Sequence, residues 1–119
     1  MKKKNEIRIR YLLFGIMVLL IACTSLSTSD PQAMAYYRHA LASEKRGSDQ
    51  WTRAVRYYKK SLEYDQRFLE AHLALGRLYT ERGQLHKAAK QYQSAVMVNP
   101  NRTDLYLECG KAMFAAEQY

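Results

Sequence analysis

The sequence predicts an all-α fold, an α-solenoid of stacked antiparallel helix pairs. The first observation is an internal repeat, in which residues of matching size and polarity recur 34 positions apart without gaps. The recurring pairs are Ala54 and Ala88, Tyr58 and Tyr92, Ser61 and Ala95, Leu75 and Cys109, Gly76 and Gly110, and Tyr79 and Met113. A period of this length is typical of helical repeats. Because one helix pair cannot bury its apolar face alone, neighbouring units must stack, which predicts a curved binding surface rather than a catalytic pocket.

Residues 1–22 follow the plan of an export signal. Five Lys and Arg residues precede an apolar run of twelve residues, 11–22. This run is short for a membrane span, which needs roughly 20 apolar residues. It ends in Leu20-Ile21-Ala22-Cys23, which resembles the lipobox of bacterial lipoproteins. That resemblance implies cleavage between Ala22 and Cys23 and acylation of Cys23. The alternative is an uncleaved anchor in which Cys23 is incidental.

Residues 23–34 are expected to be the lipidated cysteine and a flexible tether. Ser and Thr dominate its first half, a composition typical of flexible linkers. Several acyl chains give stable membrane attachment where one does not. An Asp directly after the cysteine resembles the inner-membrane retention signal of Gram-negative lipoproteins, and here that residue is Thr24. We therefore expect an outer membrane lipoprotein facing the periplasm rather than an inner membrane one.

Residues 69–102 form the clearest repeat unit. Gly76 and Ala88 are small, which lets two helices cross closely, and Gly83 suits the turn between them. Pro100 ends the second helix. The positions that define the unit are Leu75, Gly76, Tyr79, Ala88, Tyr92, Ala95 and Pro100. They resemble the signature of the tetratricopeptide repeat, and the resemblance implies a repeat domain over residues 35–119 with about two and a half units.

Residues 35–68 form a degenerate unit whose first helix is ambiguous. Leu41 and Ala42 fit the signature positions in strict register. A shift of one or two residues would instead use Tyr37 and Ala40. The second helix of this unit is clear from its helical spacing.

Residues 103–119 form a partial unit. The residues in register are Tyr106, Cys109, Gly110 and Met113. Leu105, Tyr106, Cys109 and Met113 form an apolar stripe on the first helix of this unit, and part of the stripe has no second helix of its own unit to cover it. The sequence therefore predicts either the truncated product of a longer protein or a cover supplied by a partner or a second copy, and we expect self-association.

The net charge of +8 does not indicate nucleic-acid binding. Five basic residues and one acidic residue lie in the signal, which leaves 14 basic and 10 acidic residues, a net charge of +4, from Cys23 onward. The remaining cations alternate with apolar residues at helical spacing, as on a solvated helix face. Export also argues against a nucleic-acid partner. If Cys23 is acylated, Cys109 has no intramolecular partner and is expected to be a small buried apolar residue.

The sequence does not predict an enzyme. The three histidines lack metal-ligand spacing, and neither a phosphate-binding loop nor a nucleophile motif is present. We expect no catalytic residue, metal or cofactor, and no small-molecule substrate.

The resemblance implies a peptide-binding groove on the first helices of the repeats. The family's positions for the concave face fall on Tyr36, His39, Ser43, Arg46, Glu70, Leu73, Arg77, Thr80, Asp104, Leu107, Lys111 and Phe114. The strongest candidates are Glu70, Leu73, Arg77, Thr80, Leu107, Lys111 and Phe114. The basic clamp with which some family members bind terminal carboxylates is missing, so an extended or helical peptide segment is expected. Alternatively, these are ordinary surface residues.

The leading hypothesis is a membrane-tethered adaptor lipoprotein that binds partner proteins in the bacterial envelope, in the assembly of a secretion or pilus system. One alternative is a cell-wall-associated lipoprotein that regulates peptidoglycan enzymes. Another is the targeting fragment of a longer protein. Binding to wall sacculi would favour the second hypothesis over the first.

Overall fold

The computed structural model describes residues 2–24 and 29–118, without the side chains of residues 17–24 and 48. The described residues form six α-helices, with no β-strand among them. The helices are α1 (Lys2–Thr24), α2 (Pro31–Glu44), α3 (Trp51–Tyr64), α4 (Leu69–Glu81), α5 (Leu85–Val98) and α6 (Thr103–Glu117), and a 3₁₀ turn (Ser48–Gln50) precedes α3. The predicted all-α class is confirmed.

From α2 onward, helices that are neighbours in the sequence are also neighbours in space. The first pair is α2 with α3, and the second is α4 with α5. Contacts of α3 with α4 and of α5 with α6 join one unit to the next. Short turns between long helices favour antiparallel neighbours. This successive packing of helix pairs is the predicted solenoid.

The crossing of α4 and α5 explains the small residues of the central unit. A methyl group added at Gly76 would lie 2.8 Å from Cε1 of the Tyr92 ring, so only glycine fits without movement. Ala88 and Leu75 are completely buried. Gly83, in the turn between the helices, has a φ of +67°, which side chains with a Cβ rarely adopt. The central unit is therefore held by close helix contact and a glycine turn.

The helix α2 begins at Pro31, four residues before the expected start of the repeat domain. Its N-cap is Asp30, whose carboxylate accepts hydrogen bonds from the backbone N–H groups of Gln32 at 2.8 Å and Ala33 at 3.3 Å. Proline suits the first helical position because its missing N–H would have no partner there. Residues 31–34, which were expected in the tether, are therefore the first turn of α2.

Burial in α2 favours the shifted phase of the first unit. Ala40 is fully buried and Tyr37 packs against the core, whereas Leu41 and Ala42 are exposed. The turn between α2 and α3 has six residues, and the turn between α4 and α5 has three. The longer turn moves the helix-crossing residue of α2 toward its N-terminus. The strict 34-residue register therefore does not extend to this helix.

The helix α6 packs on α5 through one side only. Leu105, Cys109 and Ala112 are buried there, so the Cys109 thiol occupies the apolar environment that was expected. Tyr106 and Met113 are 51% and 49% exposed. The apolar stripe of the partial unit is thus half covered.

The helix α1 contains the predicted signal. Its large apolar side chains between Ile7 and Ile16 are exposed. In the part of the chain that the structure describes, no helix combines the length and the hydrophobicity needed to cross a membrane. Ala22 and Cys23 lie near the end of α1, but their side chains are outside the described set. The predicted cleavage and acylation remain predictions.

Candidate peptide-binding groove

A groove of about 490 Å³ runs along the first helices of the repeat units. The helices α2, α4 and α6 supply most of its lining, and α3 and α5 each add one tyrosine. The lining residues are Tyr37, Leu41, Tyr58, Glu70, Leu73, Ala74, Arg77, Tyr92 and Glu108. We call this surface the first-helix groove. Its size is within the usual range for binding clefts, about 300–1,000 Å³.

Helical periodicity brings these residues together. Glu70, Leu73 and Arg77 are separated by three and four positions, so they lie on one face of α4. Tyr37 and Leu41 are four positions apart on α2 and share a face in the same way. The groove therefore forms where the matching faces of two successive first helices meet.

The predicted groove residues are only partly brought together. Glu70, Leu73 and Arg77 line the groove. The Thr80 hydroxyl instead donates a hydrogen bond of 2.9 Å to the Gly76 carbonyl oxygen of its own helix. The predicted residues of α6 are exposed and lie outside this lining; they are Leu107, Lys111 and Phe114.

In the first unit the groove uses residues that strict register did not select. Tyr37 and Leu41 line it, whereas Tyr36 and Ser43 do not. If the repeat register of this helix is shifted by two residues, Tyr37 becomes equivalent to Leu73 and Leu41 becomes equivalent to Arg77. The burial of Ala40 indicates the same shift. The ambiguity noted in the sequence of this helix was therefore the signal that could have found both residues.

A hydrogen-bonded network includes two lining residues of the groove, Tyr58 and Arg77, and joins three helices. The buried Tyr58 hydroxyl of α3 donates to the Glu44 carboxylate of α2. Glu44 also pairs with the Arg77 guanidinium of α4 at 2.5 Å, and Arg77 pairs with Glu81 at 3.0 Å. Because Glu44 is only 19% exposed, its contacts are less screened by water than those of a surface ion pair. The network fixes the two first helices relative to each other.

The first-helix groove is acidic. Glu70 and Glu108 line it, and Glu44 is bonded to two of its lining residues, Tyr58 and Arg77. Burial raises the pKa of the Tyr37 phenol above its ordinary value, and the negative charges of Glu70 and Glu44 raise it further. The positive charge of Arg77 partly offsets this effect on the pKa. That charge is itself balanced by two carboxylates, those of Glu44 and Glu81. The groove therefore favours a ligand that carries positive charge.

Cations concentrate on the second helices of the repeats. In α3 the single carboxylate is Glu63, and the cations are Arg53, Arg56, Lys59 and Lys60. In α5, Lys87 and Lys90 occur with no acidic residue. The first helices α4 and α6 carry more carboxylates than cations. The positive net charge of the domain thus lies away from its groove.

The groove has the composition of a binding surface. Its apolar contacts come from Leu41, Leu73 and three tyrosine rings, and its charges come from carboxylates and a guanidinium. Among the described residues, no group of three or more His, Cys, Asp or Glu side chains is arranged to hold a metal ion. Apolar anchors with a few charged positions suit a peptide segment that lies along the first helices.

The network at Tyr58 predicts a loss of stability in alkali. Burial and the hydrogen bond to Glu44 raise the pKa of Tyr58 above its usual range. Above pH ~10 an unfolded tyrosine loses its proton while the folded one keeps it, so the unfolding free energy falls as pH rises. A Tyr58→Phe variant lacks this titration. We expect it to be less stable by about 1 kcal/mol at pH ~8, with a smaller gap at pH ~11.

Chemical denaturation of both proteins at the two pH values checks this expectation. The tyrosines other than Tyr58 are present in both proteins and serve as the internal control. Stability curves that stay parallel from neutral to alkaline pH would show that Tyr58 does not hold its proton in the fold.

Two family models match segments of the repeat domain. A model described as TPR repeat matches residues 76–116, and one described as tetratricopeptide repeat matches residues 57–90. No curated protein matches the chain significantly. Proteins with these repeats are in general scaffolds that bind other proteins. The matched segments together run from α3 into α6, and the packing of the helix pairs there agrees with that of stacked tetratricopeptide repeats.

Proposed function

We propose that the chain is an adaptor lipoprotein that holds a segment of a partner protein in its first-helix groove. The observation that carries this proposal is the groove itself, which apolar side chains and carboxylates of successive repeats line together. Binding partner proteins is the general role of these repeats. The lining of the groove further indicates which kinds of residue the bound segment of the partner carries.

The partner segment is proposed to carry Lys or Arg beside aliphatic or aromatic residues. Leu73 of α4 and Leu41 of α2 both line the groove and offer apolar contacts. Glu70 and Glu108 offer charge-assisted hydrogen bonds, which are stronger than neutral ones. Complementary charge also raises the association rate and excludes acidic partners.

The location is proposed from the sequence. The basic start, the short apolar run and the Leu-Ile-Ala-Cys sequence support export, cleavage before Cys23 and acylation of that residue. Thr24 supports the periplasmic face of the outer membrane. An adaptor placed there would serve envelope assembly, for which a secretion or pilus system is the proposed setting.

A peptide library tests the groove. We expect the full chain to enrich segments that combine Lys or Arg with large apolar residues. A Leu73→Lys variant, which places a cation among the groove's apolar contacts, should weaken the selected peptides at least tenfold, or about 1.4 kcal/mol. The matched control is Met97→Lys, because Met97 is 78% exposed on α5, away from the groove. Peptides that bind Leu73→Lys as tightly as the natural chain would refute a role for this groove.

A further inference from the structure

The first helix pair carries a second surface, which is aromatic and basic. The Tyr36 ring of α2 stacks on the Tyr64 ring of α3, with the ring centroids 5.4 Å apart. Tyr36 also stacks on Tyr57 of α3, with the centroids 6.4 Å apart. The Lys60 ammonium lies 5.1 Å from the Tyr36 ring centre, and the Arg56 guanidinium lies 5.6 Å from that of Tyr57. We call these five residues the aromatic–basic face. None of them lines the first-helix groove.

The cations of this part of α3 are free to meet an external anion. Arg53, Arg56, Lys59 and Lys60 are all exposed, and within the described residues none of the four forms an ion pair with a carboxylate. The stacked rings leave Tyr64 51% exposed. A surface with tyrosine rings and cations that have no carboxylate partner suits the boundary between water and lipid headgroups. There the apolar part of each side chain contacts the lipid, and its hydroxyl or charged group stays in water.

The aromatic–basic face lies where the N-terminal segment joins the repeat domain. Ser29, Asp30 and Pro31 line the same depression as Tyr64. A chain spans at most about 3.6 Å per residue, so the seven residues from Cys23 to Asp30 reach at most about 25 Å. An attachment at Cys23 would therefore hold this end of the domain close to the bilayer.

We propose that the aromatic–basic face lies against the anionic phospholipid headgroups of the membrane to which the N-terminus is attached. This inference rests on the membrane attachment in the proposed function. Charge complementarity supports a lipid surface, because positive side chains near an anionic leaflet are attracted to it within a Debye length. The acidic first-helix groove is repelled by the same surface. Attraction of the aromatic–basic face and repulsion of the acidic groove together orient the groove away from the membrane, where a partner protein can bind.

Amine labelling of the full chain in lipid nanodiscs tests the contact. One set of discs contains phosphatidylcholine, and the other adds about 30% phosphatidylglycerol to supply the negative surface charge. In the anionic discs we expect the labelling rates of Lys59 and Lys60 to fall about threefold or more, with recovery in about 0.5 M salt, because salt screens exposed charges. Lys87 and Lys90, exposed on α5, are the internal control and should label equally in both discs.

Two variants separate this face from general charge. Arg53→Gln with Arg56→Gln should reduce the protection of Lys59 and Lys60, whereas Lys87→Gln with Lys90→Gln should leave it unchanged. All four positions are exposed, and circular dichroism checks that both proteins stay folded. Equal labelling in neutral and anionic discs overturns the proposal, as does protection that appears in both discs and rises with protein density, which would indicate a second copy. Loss of the chain from the discs would instead contradict the membrane attachment.

Discussion

Replacing Ala88 with tryptophan should unfold the repeat domain or lower its melting temperature by at least about 12 °C. Ala88 is completely buried in α5, the helix that crosses α4. Overpacking a core typically costs about 1–3 kcal/mol, and we expect at least about 3 kcal/mol here because the two backbones approach closely. Each ~1 kcal/mol shifts the melting temperature of a domain this size by about 4–8 °C. The free energy of unfolding of a native domain is only about 5–15 kcal/mol, so a loss of a few kcal/mol removes a large part of its stability.

Thermal melts followed by circular dichroism measure this effect. Gln93→Trp is the matched control, because Gln93 lies on the same helix and is exposed. It should melt close to the natural chain. A melt of Ala88→Trp that coincides with that of the control would place Ala88 away from the crossing and would contradict the packing of the central unit.

The opposite helix supplies an independent check on the same contact. A Gly76→Ala change adds one methyl group, and its carbon would lie 2.8 Å from the Tyr92 ring. The Tyr92 ring, or the helix that carries it, would therefore have to move. Both Ala88 and Gly76 were predicted from the sequence as crossing residues, because a repeat reveals positions where small size is kept from one unit to the next.

The central unit was therefore predictable almost residue by residue. Its two helices, Leu69–Glu81 and Leu85–Val98, fill the predicted range of 69–102, and α6 begins at Thr103 as expected. Two kinds of information agreed there. The spacing of apolar residues placed the helices, and Gly83 with Pro100 marked where each one ends.

The first unit was less predictable for a physical reason. Small and apolar residues occupy both candidate phases of α2, so local periodicity does not separate Ala40 and Tyr37 from Leu41 and Ala42. Contact with another helix decides between them: the Tyr37 ring packs on Tyr58 with centroids 5.4 Å apart. A longer turn before α3 permits the shift. This tertiary choice is also why two groove residues of this unit were missed.

The distribution of charge was visible in the sequence only in part. Cations at helical spacing predicted solvated helix faces, and the structure does expose them. The separation of these cations from the carboxylates could not be predicted without knowing which helices line the groove. The stacking of Tyr36 on Tyr64 likewise joins two helices and cannot be read from local spacing.

Replacing Cys23 with serine should abolish lipid labelling and leave the full-length precursor. The reason is chemical: acylation needs the thiol as the lipid acceptor, and cleavage of this class of signal follows lipid addition. The proposed location depends on this one residue, so the expected effect is close to complete. Metabolic labelling with a radioactive or clickable fatty acid, with the size of the product on a gel, measures both steps.

Cys109→Ser is the matched control for that experiment. It removes the other cysteine of the chain, and its thiol is buried against α5, where an acyl-transfer enzyme has no access. This variant should keep both the label and the shorter mature product. If Cys23→Ser still incorporated fatty acid, Cys23 would not be the acylated residue, and the proposed lipoprotein anchor at this position would be refuted without any consequence for the groove.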